Sequence, residues 1–141
     1  MPSRPAPFQL SRRCCLLAAW AGLPSLAPAA GVTLPQAMRR AEALRDEAVR
    51  AGDQPYGAVV LRGDFIVGAA PSRVVTANDP TAHAEMEAIR DAARRLGTRE
   101  LSDCVLVSTS RPCRMCEAAA GWAGISRMVH GQAFTEAGVP R

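Results

Sequence analysis

With 141 residues, 48% of them apolar, the chain is one domain long and can bury a core of its own, which argues against a multi-domain organisation. The formal charge of +4 is unevenly placed. Three of the 17 basic residues, Arg4, Arg12 and Arg13, lie in a first thirty residues that hold no acid, so beyond residue 30 fourteen arginines face all 13 acids. That near-neutral body, with 4% aromatic residues, does not suit a protein that tracks along nucleic acid.

In chain order, "SRRCCLLAAWAGLPSLAPAAG" comes first: paired arginines, an uncharged apolar run, then small residues around Ala27, Pro28 and Ala29 where a peptidase could cut. Residues 1–30 are therefore expected to be a twin-arginine export signal and residues 31–141 the functional domain, exported to the periplasm. If the stretch is instead a basic tail, the protein stays cytoplasmic. Gly22, Pro24, Pro28 and Gly31 interrupt the run, so no stable membrane anchor is expected.

From Pro35 to Arg50, Ala37, Ala41, Leu44 and Ala48 recur at helical spacing, with Gly52 placed to end the helix. "GAVVLRGDFIVGA" predicts strands over 57–62 and 65–69 joined by a tight turn at Gly63-Asp64. Turn-formers Pro71, Asn78, Asp79 and Pro80 mark 70–80 as a loop. A second helix is expected over 82–96, with an apolar stripe of Met86, Ile89, Ala93 and Leu96 and a stop at Gly97. "DCVLVST" reads as a buried strand, "CRMCEAAAGWAG" as a third helix closed by Gly124, and 127–130 as a fourth strand. Such an order implies an α/β sheet with helices on its faces and a parallel crossover between strands three and four. Cys104 and Trp122 are expected to serve as packing, and His130 to stand at a strand end without a ligand role.

Cys14 and Cys15 would leave with the signal. The remaining Cys104, Cys113 and Cys116 are odd in number and contain one C-x-x-C pair, which points to a metal or redox site rather than a disulfide framework. At a helix start, Cys113 and Cys116 would share one face, where free N–H groups and the helix dipole favour thiolates. His83, at the start of the other helix, is the natural third ligand for zinc. Three protein ligands leave one tetrahedral corner for a water, whose pKa zinc lowers to about 7. Glu85 then supplies what hydrolysis of an amidine-like carbon requires, a carboxylate that moves the water's proton to the ring nitrogen and the leaving amine. In a regular helix positions i and i+2 diverge by about 200°, so His83 and Glu85 can serve one site only if His83 stands at the helix start.

H-x-E followed by P-C-x-x-C is the signature of zinc deaminases. "NDPTAHAE" and "TSRPCRMC", with 29 residues between His83 and Cys113, resemble the zinc-dependent cytidine deaminase-like superfamily over residues 41–131, nearest its guanine deaminase and tRNA adenosine deaminase branch. The resemblance implies a three-layer α/β/α sheet, here C-terminally shortened because relatives continue into a further strand and helix. It implies one catalytic zinc on His83, Cys113 and Cys116, Glu85 as general acid and base, and a homodimer. It further implies that the backbone N–H of Ala84 and the carbonyl of Arg111 hold the base, that "PYGAV", with Tyr56 and Gly57, lines the pocket, and that Ser72 stands where the family's usual asparagine meets the substrate.

The expected function is hydrolytic deamination of a small nucleobase or nucleoside, guanine-type first, with release of ammonia. The alternatives are adenosine-to-inosine deamination of tRNA, which an export signal would disfavour, and a non-catalytic zinc-binding remnant of the fold.

Overall fold

A computed structural model of the chain describes residues 31–138. The expected export signal over residues 1–30 lies outside the described residues, and among these no helix is long and apolar enough to cross a membrane. Helix α1 (Leu34–Arg50) begins behind Thr33, whose N–H donates to Gln36 Oε1 at 2.7 Å. Strands β1 (Gly57–Arg62) and β2 (Phe65–Pro71) pair antiparallel about the expected two-residue turn, where Gly63 takes φ 56°. β2 runs two residues past its expected end, through Pro71. It is an edge strand, the position at which a missing N–H is tolerated.

Helix α2 (Ala84–Leu96) starts two residues later than its pattern suggests. Asp79 does not cap it. Its Oδ1 instead accepts from the N–H and hydroxyl of Thr81, each at 2.8 Å, which closes a separate turn and leaves His83 as the N-cap. Gly97, at φ 64°, ends the helix in the left-handed conformation that suits glycine. Strand β3 (Cys104–Ser108), helix α3 (Arg114–Trp122) and strand β4 (Arg127–His130) follow as expected, with β3 and β4 parallel. A fifth strand, β5 (Thr135–Gly138), lies beyond the four that the sequence pattern predicts. "TEAG" has neither β-branched alternation nor bulk, and it is held by antiparallel pairing to β4 and by the Arg127–Glu136 ion pair.

The sheet order is β2-β1-β3-β4-β5. Both faces of β1 and β3 are covered. Val59, Leu61 and Val107 pack under α1 against Ala37, Met38, Ala41 and Leu44. On the other face Ala58, Val60, Leu106 and Met128 meet α2 and α3 through Ala84, Ala88, Ile89, Ala92 and Ala120. The result is three layers, helix, sheet and helices. Two glycines permit the close approach. A Cβ on Gly57 would come within 2.0 Å of the Ala41 carbonyl oxygen, and one on Gly68 within 2.3 Å of that of Ala88. Trp122 overturns its expected packing role. It is 87% exposed, because the inward stripe of α3 is Cys116 and Ala120 and residue 122 falls outside it.

Candidate metal centre and active site

Two helix starts build the site. His83 is the N-cap of α2, with φ −61° and ψ 151°, and Cys113 is the N-cap of α3, with φ −77° and ψ 171°. Both residues are extended rather than helical, which meets the condition that the spacing of His83 and Glu85 imposes: the cap frees His83 from the helical repeat, so it and Glu85 turn towards one point. Cys116, one turn into α3, lies on the same side as Cys113.

The three candidate ligands form a nearly equilateral triangle. Cys113 Sγ lies 3.7 Å from His83 Nδ1, Cys116 Sγ lies 3.7 Å from the same nitrogen, and the two sulfurs are 3.7 Å apart. Tetrahedral zinc with ordinary Zn–S and Zn–N bonds requires about 3.8 Å between sulfurs and about 3.6 Å between sulfur and nitrogen. The donor set therefore fits zinc in both type and spacing. Among the described residues this is the one group of three or more such side chains that could hold a metal ion, and His130 is not part of it.

Electrostatics agree with a cation at this point. Glu85 is 5% exposed, and its Oε2 lies 3.8 Å from Cys116 Sγ. Burial pushes the Glu85 carboxyl above the usual carboxylate range, partly offset by its own N–H, by His83 and by the Cys116 thiol. Burial also drives the Cys116 thiol strongly upward, followed by the neighbouring Glu85 carboxylate and Cys113. The Cys116 thiol and the Glu85 carboxyl, crowded together, resist ionisation on their own, and a divalent cation reverses that balance. The thiol of Cys104, also raised to about 11 by burial and Asp103, lies inside the core as expected.

The residues expected to face substrate are less uniform. Ala84 is the first residue of α2 and is buried, while Arg111 is exposed in the segment between β3 and α3. Tyr56 is exposed beside β1. Gly57 has a packing function, since its α-carbon abuts α1, and its N–H donates to Thr109 Oγ1 at 3.2 Å. Ser72 is buried, and its hydroxyl donates to Asp53 Oδ1 at 2.9 Å. Asp53 has no signal of its own in the sequence. It stands among the turn-formers Gly52 and Pro55 and carries no motif, so nothing local distinguishes it from a solvated loop acid. The cleft between β2 and α2, lined by Ala69, Arg73, Glu87, Asp91 and Arg95 among others, includes none of the metal ligands.

A family model described as the cytidine and deoxycytidylate deaminase zinc-binding region matches residues 33–132, a span that holds all three ligands and Glu85. Guanine deaminase of Bacillus subtilis (strain 168) is 41% identical over 101 residues, covering 71% of this chain and 65% of that protein. A tRNA-specific adenosine deaminase of Aquifex aeolicus (strain VF5) is 40% identical over 89 residues, 62% of this chain and 59% of that one. The X-ray structure of guanine deaminase from Bacillus subtilis superposes with a TM-score of 0.68 at 39% identity, over 71% of this chain and 64% of the other. The chain thus spans somewhat less than two thirds of the length of these relatives. Zinc is the ion that His83, Cys113 and Cys116 are spaced to hold, and the chain belongs to the cytidine and deoxycytidylate deaminase zinc-binding family.

Proposed function

We propose that the protein is a zinc-dependent hydrolytic deaminase of a free nucleobase or nucleoside, of the guanine type. The observation that carries this reading is the buried Glu85 carboxylate standing 3.8 Å from Cys116 Sγ, beside a ligand triangle of zinc dimensions. A structural zinc site has no use for such a group. Bound there, zinc supplies the Lewis acidity that makes a water nucleophilic near neutral pH. Glu85 takes the proton as the water oxygen adds to the amidine carbon, and passes protons to the ring nitrogen and to the departing amine. The C–N bond to the exocyclic nitrogen breaks, ammonia leaves, and a ring carbonyl remains. Burial of Glu85 supports this role: it pushes the carboxyl above its ordinary range, which makes the carboxylate a better proton acceptor, and keeps it out of bulk water beside the ligands. The N–H of Ala84, the carbonyl of Arg111 and the ring of Tyr56 are the groups we assign to the bound base.

The test is ammonia release by zinc-loaded protein from guanine, adenine, cytosine and their nucleosides, with tRNA as a parallel substrate. Guanine turnover is the expected result. Turnover of tRNA alone would favour the second reading, supported by the Aquifex relative. Folded, zinc-replete protein that deaminates none of these would overturn both.

We further read residues 1–30 as an export leader and the domain as a homodimer. Cell fractionation and sedimentation test the two separately.

A further inference from the structure

Asp53 lies in the loop between α1 and β1, and it is buried. Five donors converge on its carboxylate. Oδ1 accepts from the Gln54 N–H at 2.8 Å and the Ser72 hydroxyl at 2.9 Å. Oδ2 accepts from the N–H of Val75 at 3.1 Å, the N–H of Thr76 at 2.8 Å and the hydroxyl of Thr76 at 2.8 Å. No ion pair to Asp53 occurs among the described residues, so hydrogen bonds alone compensate its buried charge.

Four of those five donors belong to residues 72–76, the segment that opens the loop leading to His83. That loop is closed on itself, because the Arg73 N–H donates at 3.0 Å to the carbonyl of Ala82, the residue before His83. On the other side, the Tyr56 carbonyl accepts from the Ser72 N–H at 2.9 Å, and the Gly57 carbonyl from the Thr109 N–H at 3.0 Å, in the segment that leads to Cys113. The carboxylate thus ties the loop that delivers His83 to the start of β1, while the bonds of Gly57, not Asp53 itself, tie that strand to the segment ahead of Cys113.

We propose that Asp53 is a positioning residue of the zinc site, latching residues 72–76 so that His83 enters α2 in the extended conformation its Nδ1 needs. Ser72 belongs to this latch, its hydroxyl committed to Asp53 rather than to substrate. The activity arm of the test rests on the deaminase reading; the metal and exchange arms do not.

The experiment compares zinc-loaded full-length wild type with Asp53→Asn, Ser72→Ala and a core control, Val107→Ala. Three quantities are read: amide exchange at Val75 and Thr76, the rate of zinc transfer to a colorimetric chelator, and KM and kcat on whichever base the wild type turns over. Asp53→Asn is expected to lose protection at both amides and to release zinc about tenfold faster or more. KM should rise more than kcat falls. Ser72→Ala is expected to move the same quantities in the same direction by less. Val107→Ala, though destabilised, should keep the wild-type zinc rate and KM. Asp53→Asn with wild-type zinc release, or a Val107→Ala control that releases zinc as fast, would overturn the proposal. Should Asp53→Asn fail to fold, the double variant Ser72→Ala, Thr76→Val removes two donors and keeps the carboxylate. It must then show the same pattern, and wild-type behaviour would refute the latch. If the wild type deaminates nothing, the proposed function fails while the zinc and exchange readings still judge Asp53.

Discussion

His83 Nδ1 stands 3.7 Å from Cys116 Sγ although 33 positions separate the two residues in the chain. The distance is set by two helix starts on one face of the sheet: His83 is the extended N-cap of α2, and Cys116 lies in the first turn of α3, behind the extended N-cap Cys113. Ligands placed by rigid helices keep their spacing, so the ordering cost of binding an ion is met largely by the fold.

Metal removal should therefore lower stability without erasing the fold. The domain has a core on both sheet faces that does not involve the metal ligands apart from Cys116. An ion held at a thousand times its Kd adds about 4 kcal/mol, worth about 15 °C in a domain of this size. Calorimetry with and without a chelator is expected to show two cooperative transitions separated by roughly that amount. A chelator-insensitive midpoint would count against zinc being bound in the native protein.

Replacing Glu85 by glutamine should separate binding of the metal from chemistry. The amide fills the same buried space beside Cys116 and cannot cycle a proton. Turnover is expected to fall by about two to four orders of magnitude, while zinc content stays at one per chain by metal analysis. Retained turnover would remove Glu85 from the proton path.

Gly57→Ala and Gly68→Ala test the three-layer packing. Each added methyl would meet backbone of a helix, at 2.0 Å from Ala41 O and 2.3 Å from Ala88 O. Backbone cannot rotate aside as a side chain can, so urea unfolding should report a loss of about 2–3 kcal/mol or more for each. Gly57→Ala should also weaken zinc retention, because Gly57 bonds Thr109 ahead of Cys113. Gly68→Ala, on the edge strand, should leave it nearer to wild type. Equal stability of both variants and wild type would mean that α1 and α2 lie farther from the sheet than described.

Periodicity was enough to place three helices and four strands to within about two residues, because those segments bury continuous faces. It could not find β5, whose four residues owe their conformation to pairing with β4. The metal triangle and Glu85 were legible because their chemistry dictates residue type and spacing together. The i and i+2 relation of His83 and Glu85 even required the N-cap position that the structure gives His83. Asp53 was not legible, since Ser72, Val75 and Thr76 are about twenty residues away and a loop aspartate has no period to betray its partners. Trp122 misled for the opposite reason: its size suggested burial, yet a helix of nine residues has few inward positions.

Acidity should expose the contribution of Asp53 to stability. Burial alone would raise its carboxyl, but the donors from Thr76, Gln54 and Ser72 outweigh that and hold it well below the ordinary aspartate value of 3.8. A group whose folded pKa is depressed binds more protons when unfolded, so its stabilisation is complete above the ordinary value and drains away as pH falls below it. Asp53→Asn removes the charge and turns amide hydrogens towards the donors of Val75 and Thr76, leaving it least stable relative to wild type near neutral pH. Urea unfolding at steps from about pH 7 to about pH 3 should find that difference constant down to about pH 5 and narrowing below it. The carboxyls of half-buried Asp79 and of exposed Asp103 and Glu136 are also lowered, by hydrogen bonds from Thr81, Arg62 and Arg127 respectively, but they titrate alike in both proteins and cancel in the difference. Both proteins are unfolded with the metal chelated, so that loss of the ion on acidification does not enter the difference. A gap that stays fixed across the whole range would mean that Asp53 is not held as the anion its five donors imply.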